Sequence, residues 1–204
     1  MHLFYHDLQN DSALRLENEE HRHCSQVLRH VVGDLVHVTD GMGKLAEVEI
    51  TDVQRRFTAF KVVDVKEVPT KSFAVHIAIS PTKQMDRMEW FVEIACEMGA
   101  DDITFLQTKH SERPMIKLDR LEKKTISALK QSKSAWKTCL HPMVGFKGFL
   151  ERDDSAHKYI AAVDANSKYL AQTIEPGTTY TVLIGPEGDF TQQEVNLALS
   201  LIHI

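Results

Sequence analysis

The sequence contains no apolar run long enough to cross a membrane, which takes about 18 to 20 residues. Its first residues, MHLFYHDLQND, lack the basic start and apolar stretch of a secretory signal. Its three cysteines, Cys24, Cys96 and Cys139, form no C-x-x-C pair. We therefore expect a cytoplasmic protein with neither a disulfide framework nor a cysteine zinc site.

Motifs for metals and nucleotides are also missing. Eleven histidines are present, but none has the H-E-x-x-H spacing of a zinc enzyme, and neither G-x-G-x-x-G nor a P-loop occurs. The cluster His21-Arg22-His23 could bind a metal or a phosphate, or could form an exposed polar helix face. The sequence therefore predicts no bound metal.

Acidic residues outnumber basic ones over the whole chain, which has 204 residues and a formal net charge of −5. Between Thr108 and Lys137, however, basic residues outnumber acidic ones by nine to three, and we call this segment the basic stretch. Such segregation indicates either a phosphate-binding face or a solvated helix surface. The basic residues are Lys109, Arg113, Lys117, Arg120, Lys123, Lys124, Lys130, Lys133 and Lys137.

The first part of the chain, residues 1–68, has the pattern of short strands and turns. Strands are expected over Leu35–Val38, Leu45–Val53 and Thr58–Val65, with a hairpin turn at Asp40-Gly41-Met42-Gly43. Closely spaced short strands are typical of a small barrel. One helix is predicted over Glu19–His30, with one apolar face formed by Cys24, Val27, Leu28 and Val31.

After a linker at Val68–Ser72 the pattern becomes that of an α/β fold with a mostly parallel sheet. Apolar runs typical of strands buried on both faces alternate with segments of helical periodicity. The predicted strands are Phe73–Ile79, Ile103–Leu106, Tyr159–Val163 and Tyr180–Ile184, and the helical segments begin at Met85 and Leu118. The first helix should end at Gly99.

The sharpest local feature is a Gly-Pro-Glu-Gly turn at Gly185–Gly188, directly after an apolar strand. Thr191 and Glu194 follow it as a T-x-x-E capping box that opens a helix. Ligands in open α/β sheets bind at the carboxyl ends of strands, where such a turn lies. The segment is therefore either a ligand-binding turn or a plain connection.

Four segments in the same order resemble the bacterial 16S ribosomal RNA (uracil-N3)-methyltransferase family. They are Ile184–Gly188 with the aromatic residue and capped helix after it; His23-x-x-x-Val27-Leu28-Arg29 with Gly33-Asp34 and Asp40-Gly41; Lys83 with the helix ending in Glu97-Met98-Gly99-Ala100; and Thr108 and Ser111 with Gln131-Ser132. Each match is short, but together they extend over nearly the whole chain.

The resemblance implies a knotted (trefoil-knot, SPOUT superfamily) methyltransferase domain over residues 73–204, preceded by a PUA-like β-barrel over residues 1–68 that binds RNA. It implies S-adenosylmethionine as cofactor, methylation of N3 of one uridine in the small ribosomal subunit, and a homodimer. Met85, Met88 and Phe91 could form the dimer interface or simply belong to the core.

The resemblance also assigns residues. The cofactor would contact Val163, Asp164, Leu183, Ile184, Gly185, Pro186, Glu187 and Gly188. RNA phosphates would be held by His23, Arg29, Lys44, Lys83, Lys109, Arg113, Lys130 and Lys133. Removal of the N3 proton needs a base, for which Glu187 is a candidate, with a role as a turn residue as the alternative.

The sequence departs from the family pattern at three places. Asp189 stands where many members have a second glycine, and Lys133, Ser134 and Trp136 stand where many have an arginine. The L-R-x-E-T-A segment that follows the last helix in the family is not in this sequence, so we expect part of the knot to be missing.

Three other functions remain open. A knotted methyltransferase acting on transfer RNA or on a ribose hydroxyl would share the fold and cofactor. A non-catalytic RNA-binding or ribosome-assembly protein would share the basic stretch. A small-molecule α/β enzyme would have no affinity for RNA.

Overall fold

A computed structural model of the chain describes residues 2–8, 14–152, 156–162 and 169–201. It divides into two compact units, each of which draws on two segments of the chain. The first unit comprises Met1–Thr70 with Ile126–Lys137, and the second comprises Lys71–Thr125 with Thr138–Ile204.

The first unit is built on a five-stranded sheet. The strands are β1 (Leu3–Tyr5), β2 (Arg15–Glu17), β3 (Leu35–Thr39), β4 (Lys44–Val53) and β5 (Phe57–Glu67). Their order is β1-β3-β4-β5-β2, with β1 parallel to β3 and the other pairs antiparallel. The hairpin predicted at Asp40–Gly43 is confirmed by the β3–β4 pair. Closure of this sheet into a PUA-like barrel stays a prediction.

The core of the first unit follows from the alternation of side chains along its strands. In β4, every second residue from Ala46 to Ile50 is buried, and Val36 and Val38 of β3 face the same cluster. Phe4, Leu16, Cys24 and Phe60 complete it. Burial also raises the pKa of the Cys24 thiol to about 11.

The helix predicted over Glu19–His30 is shorter and irregular. Helix α1 (Asn18–Arg22) continues as a π-helical turn, His23–Val27, and Arg29 then takes a left-handed φ of 57°. The wider turn rotates the residues after it relative to an α-helix. Cys24 is buried as expected, but the predicted burial of Val27 and Val31 is wrong, because both are more than 60% exposed.

The second unit contains a fully parallel five-stranded sheet. Its strands are β6 (Val75–Ile79), β7 (Asp102–Gln107), β8 (Cys139–Gly145), β9 (His157–Ala161) and β10 (Tyr180–Ile184). Their order is β8-β7-β6-β10-β9. The predicted α/β class with a parallel sheet is confirmed. β8 was not predicted; its Pro142 is tolerated because β8 lies at the sheet edge.

The remaining α-helices of the described residues are α2 (Met85–Glu97), α3 (Leu118–Ser132), α4 (Phe146–Leu150) and α5 (Gln192–Leu201). Helix α2 ends before Gly99, whose φ of 88° suits glycine. Met88 is only 1% exposed and so belongs to the core rather than to an interface. On one side of the sheet Ala78, Leu106 and Leu183 pack with α4 and α5 residues. Within the described ranges, no helix combines the length and apolarity that a membrane span requires.

Candidate active site

Three loops of the second unit meet at the carboxyl ends of β6, β7 and β10. The chain runs outward from β6 through β7 to β8, and then continues on the other side of β6 with β9 and β10, so the strand order reverses at the β6–β10 pair. A reversal of this kind opens a crevice beyond the strand ends, which is where open α/β sheets bind ligands. The loops there are 80–83, 108–113 and 185–190.

The turn after β10 is rigid and compact. Pro186 is buried, and Asp189 takes a left-handed φ of 59° that its own carboxylate supports by accepting the Phe190 N–H at 2.8 Å. A Cβ on Gly185 would lie 3.1 Å from the Phe190 ring. Glycine therefore lets the aromatic side chain fold back over the turn. Many members of the family that the sequence resembles have a glycine at the position of Asp189, but that glycine is not needed to form this turn.

The loops after β6 and β10 are joined by two hydrogen bonds. The Ser80 N–H donates to the Ile184 carbonyl at 2.9 Å. The Lys83 N–H donates to Oε1 of Glu187 at 3.1 Å, although the Glu187 side chain is exposed. Glu187 thus holds the neighbouring loop with one carboxylate oxygen, and among the described residues none donates a hydrogen bond to its other oxygen.

A cluster of three hydroxyl groups joins the loops after β6 and β7. The Ser111 Oγ lies 2.7 Å from the Ser80 Oγ and 2.9 Å from the Thr108 Oγ1, and it accepts the Thr108 N–H at 2.8 Å. Ser80 and Thr108 are buried. Because each hydroxyl can both donate and accept, the cluster satisfies its own polar atoms and fixes the two loops together.

His110 holds the turn after β10 in place by hydrogen bonding to its carbonyl groups. Its Nδ1 lies 2.9 Å from the Gly188 carbonyl and 3.0 Å from the Asp189 carbonyl. Carbonyls only accept hydrogen bonds, so Nδ1 carries the proton. A Cβ on Gly188 would lie 3.2 Å from the His110 Cβ, so a side chain there would press on the histidine.

The predicted capping box is present and does more than cap α5. Glu194 Oε2 accepts the N–H and the hydroxyl of Thr191, each at 2.8 Å, while Oε1 accepts the Lys109 N–H at 2.8 Å. Burial acts to raise the pKa of Glu194, but the hydrogen bonds from Thr191 and Lys109 outweigh it and hold that pKa below its usual value. One carboxylate thus fixes the start of α5 and the loop after β7.

Most of the predicted cofactor residues lie at this crevice. Leu183 is buried at the end of β10, Ile184 is half-buried beside it, and Gly185–Gly188 form the turn. Val163 and Asp164 fall outside the described residues. Within the described part of the chain, the N–H groups of Glu187 and Gly188 donate to no protein acceptor. They therefore suit a ligand with polar acceptor atoms.

Three of the predicted RNA-binding residues belong to the same loops. Lys109 is exposed, and the exposed Lys83 ammonium lies 3.2 Å from the Glu112 carboxylate. Arg113 instead donates to the carbonyls of Thr82 and Lys83, the latter at 2.5 Å. Arg113 therefore supports the 80–83 loop, and the charge of Lys109 is more accessible to a ligand than that of Arg113.

The other five lie in the first unit. Arg29 and Lys133 are exposed and both have left-handed φ angles, of 57° and 56°. Lys44 is half-buried. Lys130 is ion-paired with Glu20, which neutralises much of its charge. Burial, with the Lys130 charge second, lowers the pKa of His23 from its usual 6.5, which favours the uncharged form of its ring.

Pairing within the protein reduces the free charge of the basic stretch. Lys124 lies 3.1 Å from the Glu93 carboxylate, and Arg120 pairs with both Asp86 and Glu89. These contacts were not predicted because the partners lie on α2, some thirty residues earlier in the chain. Counting charges along the sequence therefore overestimates the charge that faces solvent.

The hydrogen bonds of two residues at the site had little signal in the sequence. Ser80 stands in an ordinary Ser-Pro turn, and His110 is one of eleven histidines. Their contacts join loops from different strands, so they depend on strand order rather than on local pattern. Thr108 and Ser111 were noted only as part of the family resemblance.

The chain is similar to known proteins in both sequence and structure. The sequence profile of the RNA methyltransferase domain family matches residues 69–201. A crystal structure of a probable rRNA-methyltransferase from Porphyromonas gingivalis is 34% identical in sequence, with a TM-score of 0.91; the match covers 98% of this chain and 86% of that one.

Two further relatives are more distant. The crystal structure of a Ribosomal RNA small subunit methyltransferase E from Neisseria gonorrhoeae, bound to S-adenosyl methionine, is 22% identical with a TM-score of 0.84, over 98% of this chain and 86% of that one. The Ribosomal RNA small subunit methyltransferase E of Rickettsia conorii is 22% identical over 196 residues, which is 95% of this chain and 80% of its relative.

Proposed function

The chain belongs to the RNA methyltransferase domain family, and from that membership we propose that it transfers a methyl group from S-adenosylmethionine to N3 of one uridine in 16S ribosomal RNA. The observation that carries the proposal is the likeness to the Porphyromonas gingivalis protein, which extends over 98% of this chain. The names of the Neisseria and Rickettsia relatives supply the small-subunit substrate.

The crevice at the ends of β6, β7 and β10 fits the cofactor. S-adenosylmethionine supplies an activated methyl group when bound. The N–H groups of Glu187 and Gly188 would donate to its polar atoms, and the half-buried Ile184 would pack against its apolar parts. Leu183, whose side chain is buried in the core, would contribute only its backbone. Val163 and Asp164, from the segment after β9, would complete the site. His110 and Glu194 position these groups by holding the turn and the loop after β7.

Uridine N3 must lose its proton to become a nucleophile, and we assign Glu187 as the acceptor. Its Oε1 is held by the Lys83 N–H, which orients the carboxylate and leaves Oε2 to take the proton. A fixed carboxylate keeps its direction during the reaction, and alignment of nitrogen and methyl group is the main requirement of such a transfer. The target base must be unstacked before it enters the crevice.

RNA would be held by exposed basic residues of both units. Lys83 and Lys109 flank the crevice, and Arg29 and Lys133 are exposed on the first unit. His23, Lys44, Arg113 and Lys130 would contribute contacts with less free charge. Phosphate contacts of this kind fix the position of RNA without selecting the base. Residues 1–68, the larger segment of the first unit, would serve as the PUA-like RNA-binding domain. Residues 73–204, which include most of the second unit and the Ile126–Lys137 segment of the first, would serve as the knotted methyltransferase domain, acting on ribosomal subunits in the cytoplasm.

We also propose that the chain forms a homodimer through α2. Trp90 and Met98 of this helix are 66% and 83% exposed, and they border an apolar groove that Phe91 also lines. Exposed apolar surface of this kind is typical of interfaces. Trp90→Glu should shift the protein from dimer to monomer in light scattering, whereas an unchanged mass would locate the interface elsewhere.

The test of the function is methyl transfer from labelled S-adenosylmethionine to three separate substrates: small ribosomal subunits that lack the modification, large subunits and transfer RNA. The proposal predicts label in small-subunit RNA alone. Label in transfer RNA alone would indicate a different knotted methyltransferase. RNA binding without label in any substrate would indicate a non-catalytic RNA-binding protein.

A further inference from the structure

Three side chains with metal-binding chemistry meet on one face of the second unit's sheet. Asp102 is the first residue of β7, and Cys139 and His141 are the first and third residues of β8. Asp102 pairs with Cys139 in the strand register, and Thr104 pairs with His141. Residues two apart on a strand point to the same face. A carboxylate oxygen, a thiol sulfur and an imidazole nitrogen therefore all lie within 4.8 Å of one another.

The backbone around these residues is held by further hydrogen bonds. The Cys139 N–H donates to the Asp101 carbonyl at 2.8 Å, and the Thr138 hydroxyl donates to the Ala100 carbonyl at 2.7 Å. The strand starts of β7 and β8 are thus fixed relative to each other. The three donor atoms sit on rigid strands, which is the condition for a preorganised metal site.

We propose that Asp102, Cys139 and His141 form a binding site for one zinc-class divalent cation. Thiolate and imidazole ligands favour Zn²⁺ over Mg²⁺ or Ca²⁺, which prefer oxygen. Three protein ligands leave one tetrahedral position for water. The ring of His76 lies 5.9 Å from that of His141, but its Nε2 is 2.8 Å from the Thr104 hydroxyl, so we do not assign it as a ligand.

The side chains are accessible and would need little movement. Asp102 and His141 are about one third exposed, at 35% and 37%, and their Oδ1 and Nε2 atoms lie 2.7 Å apart. A metal would replace that hydrogen bond with two metal–ligand bonds, and the imidazole proton would move to Nδ1. The Cys139 thiol would lose its proton to solvent, so binding releases a proton and weakens as the pH falls.

The site is separate from the candidate active site. It lies at the amino ends of β7 and β8, whereas the loops of the crevice follow the carboxyl ends. Asp102 is the first of the six residues of β7, so five residue steps separate it from the carboxyl end of that strand, which corresponds to about 17 Å. A cation here would link β7 to β8 and stabilise the sheet edge without taking part in methyl transfer.

The test uses the whole chain after removal of metal with a chelator. Titration with Zn²⁺ in a calorimeter gives the stoichiometry and affinity for the wild type and for Cys139→Ser and His141→Gln. His157→Gln is the matched control, because His157 is exposed at the start of β9, the opposite edge strand. Alkylation with and without Zn²⁺ reports on Cys139 directly, since Cys24 and Cys96 are buried.

We expect one zinc ion per chain and protection of Cys139 from alkylation. Cys139→Ser and His141→Gln should each weaken binding by more than about tenfold, since even outer-shell changes cost roughly 10- to 100-fold. His157→Gln should bind as the wild type does. Absence of binding, or equal loss in all three variants, would overturn the proposal. Methyl transfer should be the same with and without Zn²⁺, so this test is independent of the proposed function.

Discussion

Replacement of Glu194 by alanine should destabilise the second unit, because it frees the loop after β7 and the start of α5 from each other. The substitution leaves Thr191 as the cap of α5 but removes the carboxylate that accepts the Thr191 N–H and hydroxyl, which costs about 1 kcal/mol. It also removes the acceptor of the Lys109 N–H, which costs about another 1 kcal/mol. The free energy of unfolding of the second unit should therefore fall by about 2 kcal/mol, which lowers the melting temperature by about 4–8 °C for a chain of this size.

The assay is thermal and urea unfolding of the wild type, Glu194→Ala and the control Gln193→Ala. Gln193 is exposed in the same first turn of α5, so its replacement should change stability by less than about 0.5 kcal/mol. Equal stability of the Glu194→Ala and Gln193→Ala proteins would refute the double role assigned to Glu194.

The same carboxylate gives a pH dependence with a definite sign. The pKa of Glu194 in the folded chain lies below its usual value of 4.5. Its contribution to stability is therefore complete above pH 4.5 and is lost as the pH falls through the lower, folded-state pKa. The stability difference between the wild type and Glu194→Gln should shrink in that acid range. A difference that grew on acidification would contradict the assigned hydrogen bonds.

Three further predictions concern the proposed catalytic base Glu187, the stability of the first unit and the binding of RNA. Glu187→Gln can still accept the Lys83 N–H but cannot take a proton, so kcat should fall by about 100-fold or more while cofactor affinity is retained; full activity would leave Glu187 as a turn residue only. Gly43→Ala places a Cβ 2.6 Å from the Trp136 ring, whereas Gly33→Ala, also at positive φ, meets no atom within 4 Å. Urea unfolding should show Gly43→Ala to be the less stable by about 1–3 kcal/mol, and equal stability would exclude the clash. If the basic stretch binds RNA, the logarithm of affinity should fall with the logarithm of salt by about 0.7 to 0.9 per neutralised phosphate, and affinity independent of salt would exclude that role.

Local patterns predicted the elements of this protein well. The strands β4 and β10, the end of α2 at Gly99 and the Thr191–Glu194 cap each follow from residues near one another in sequence. Period-two burial, glycine at positive φ and a capping box are short-range effects, so the sequence alone is enough to find them.

The features that the sequence predicted wrongly, or did not predict, depend on tertiary context. The π-helical turn at His23–Val27 exposes Val27 because its hydrogen bonds run from residue i to residue i+5, as from His23 to Leu28, and so shift the face that is buried. Apolar spacing does not distinguish this turn from an α-helix. β8 and α4 contain Pro142, Gly145 and Gly148, which count against regular structure, but edge position and packing of Phe149 stabilise them. The order of strands was not predicted.

The candidate site likewise combines a local feature that the sequence predicted with long-range contacts that it did not. The turn Gly185–Gly188 was found from the sequence, because glycine and proline mark it. Its hydrogen bond with His110, and that between Ser80 and Ile184 just before it, were not, because strands β6 and β7 bring these residues together from about 75 to 105 residues away. Contacts of this range are what a single sequence does not specify.

The most direct test of the account identifies the methylated nucleoside. Small subunits lacking the modification are incubated with S-adenosylmethionine and either the wild type or Glu187→Gln, and their RNA is digested and analysed by mass spectrometry. The account predicts one N3-methyluridine per subunit with the wild type and a much lower rate with the variant. A methyl group on a ribose, on another base or on no nucleoside at all would contradict it.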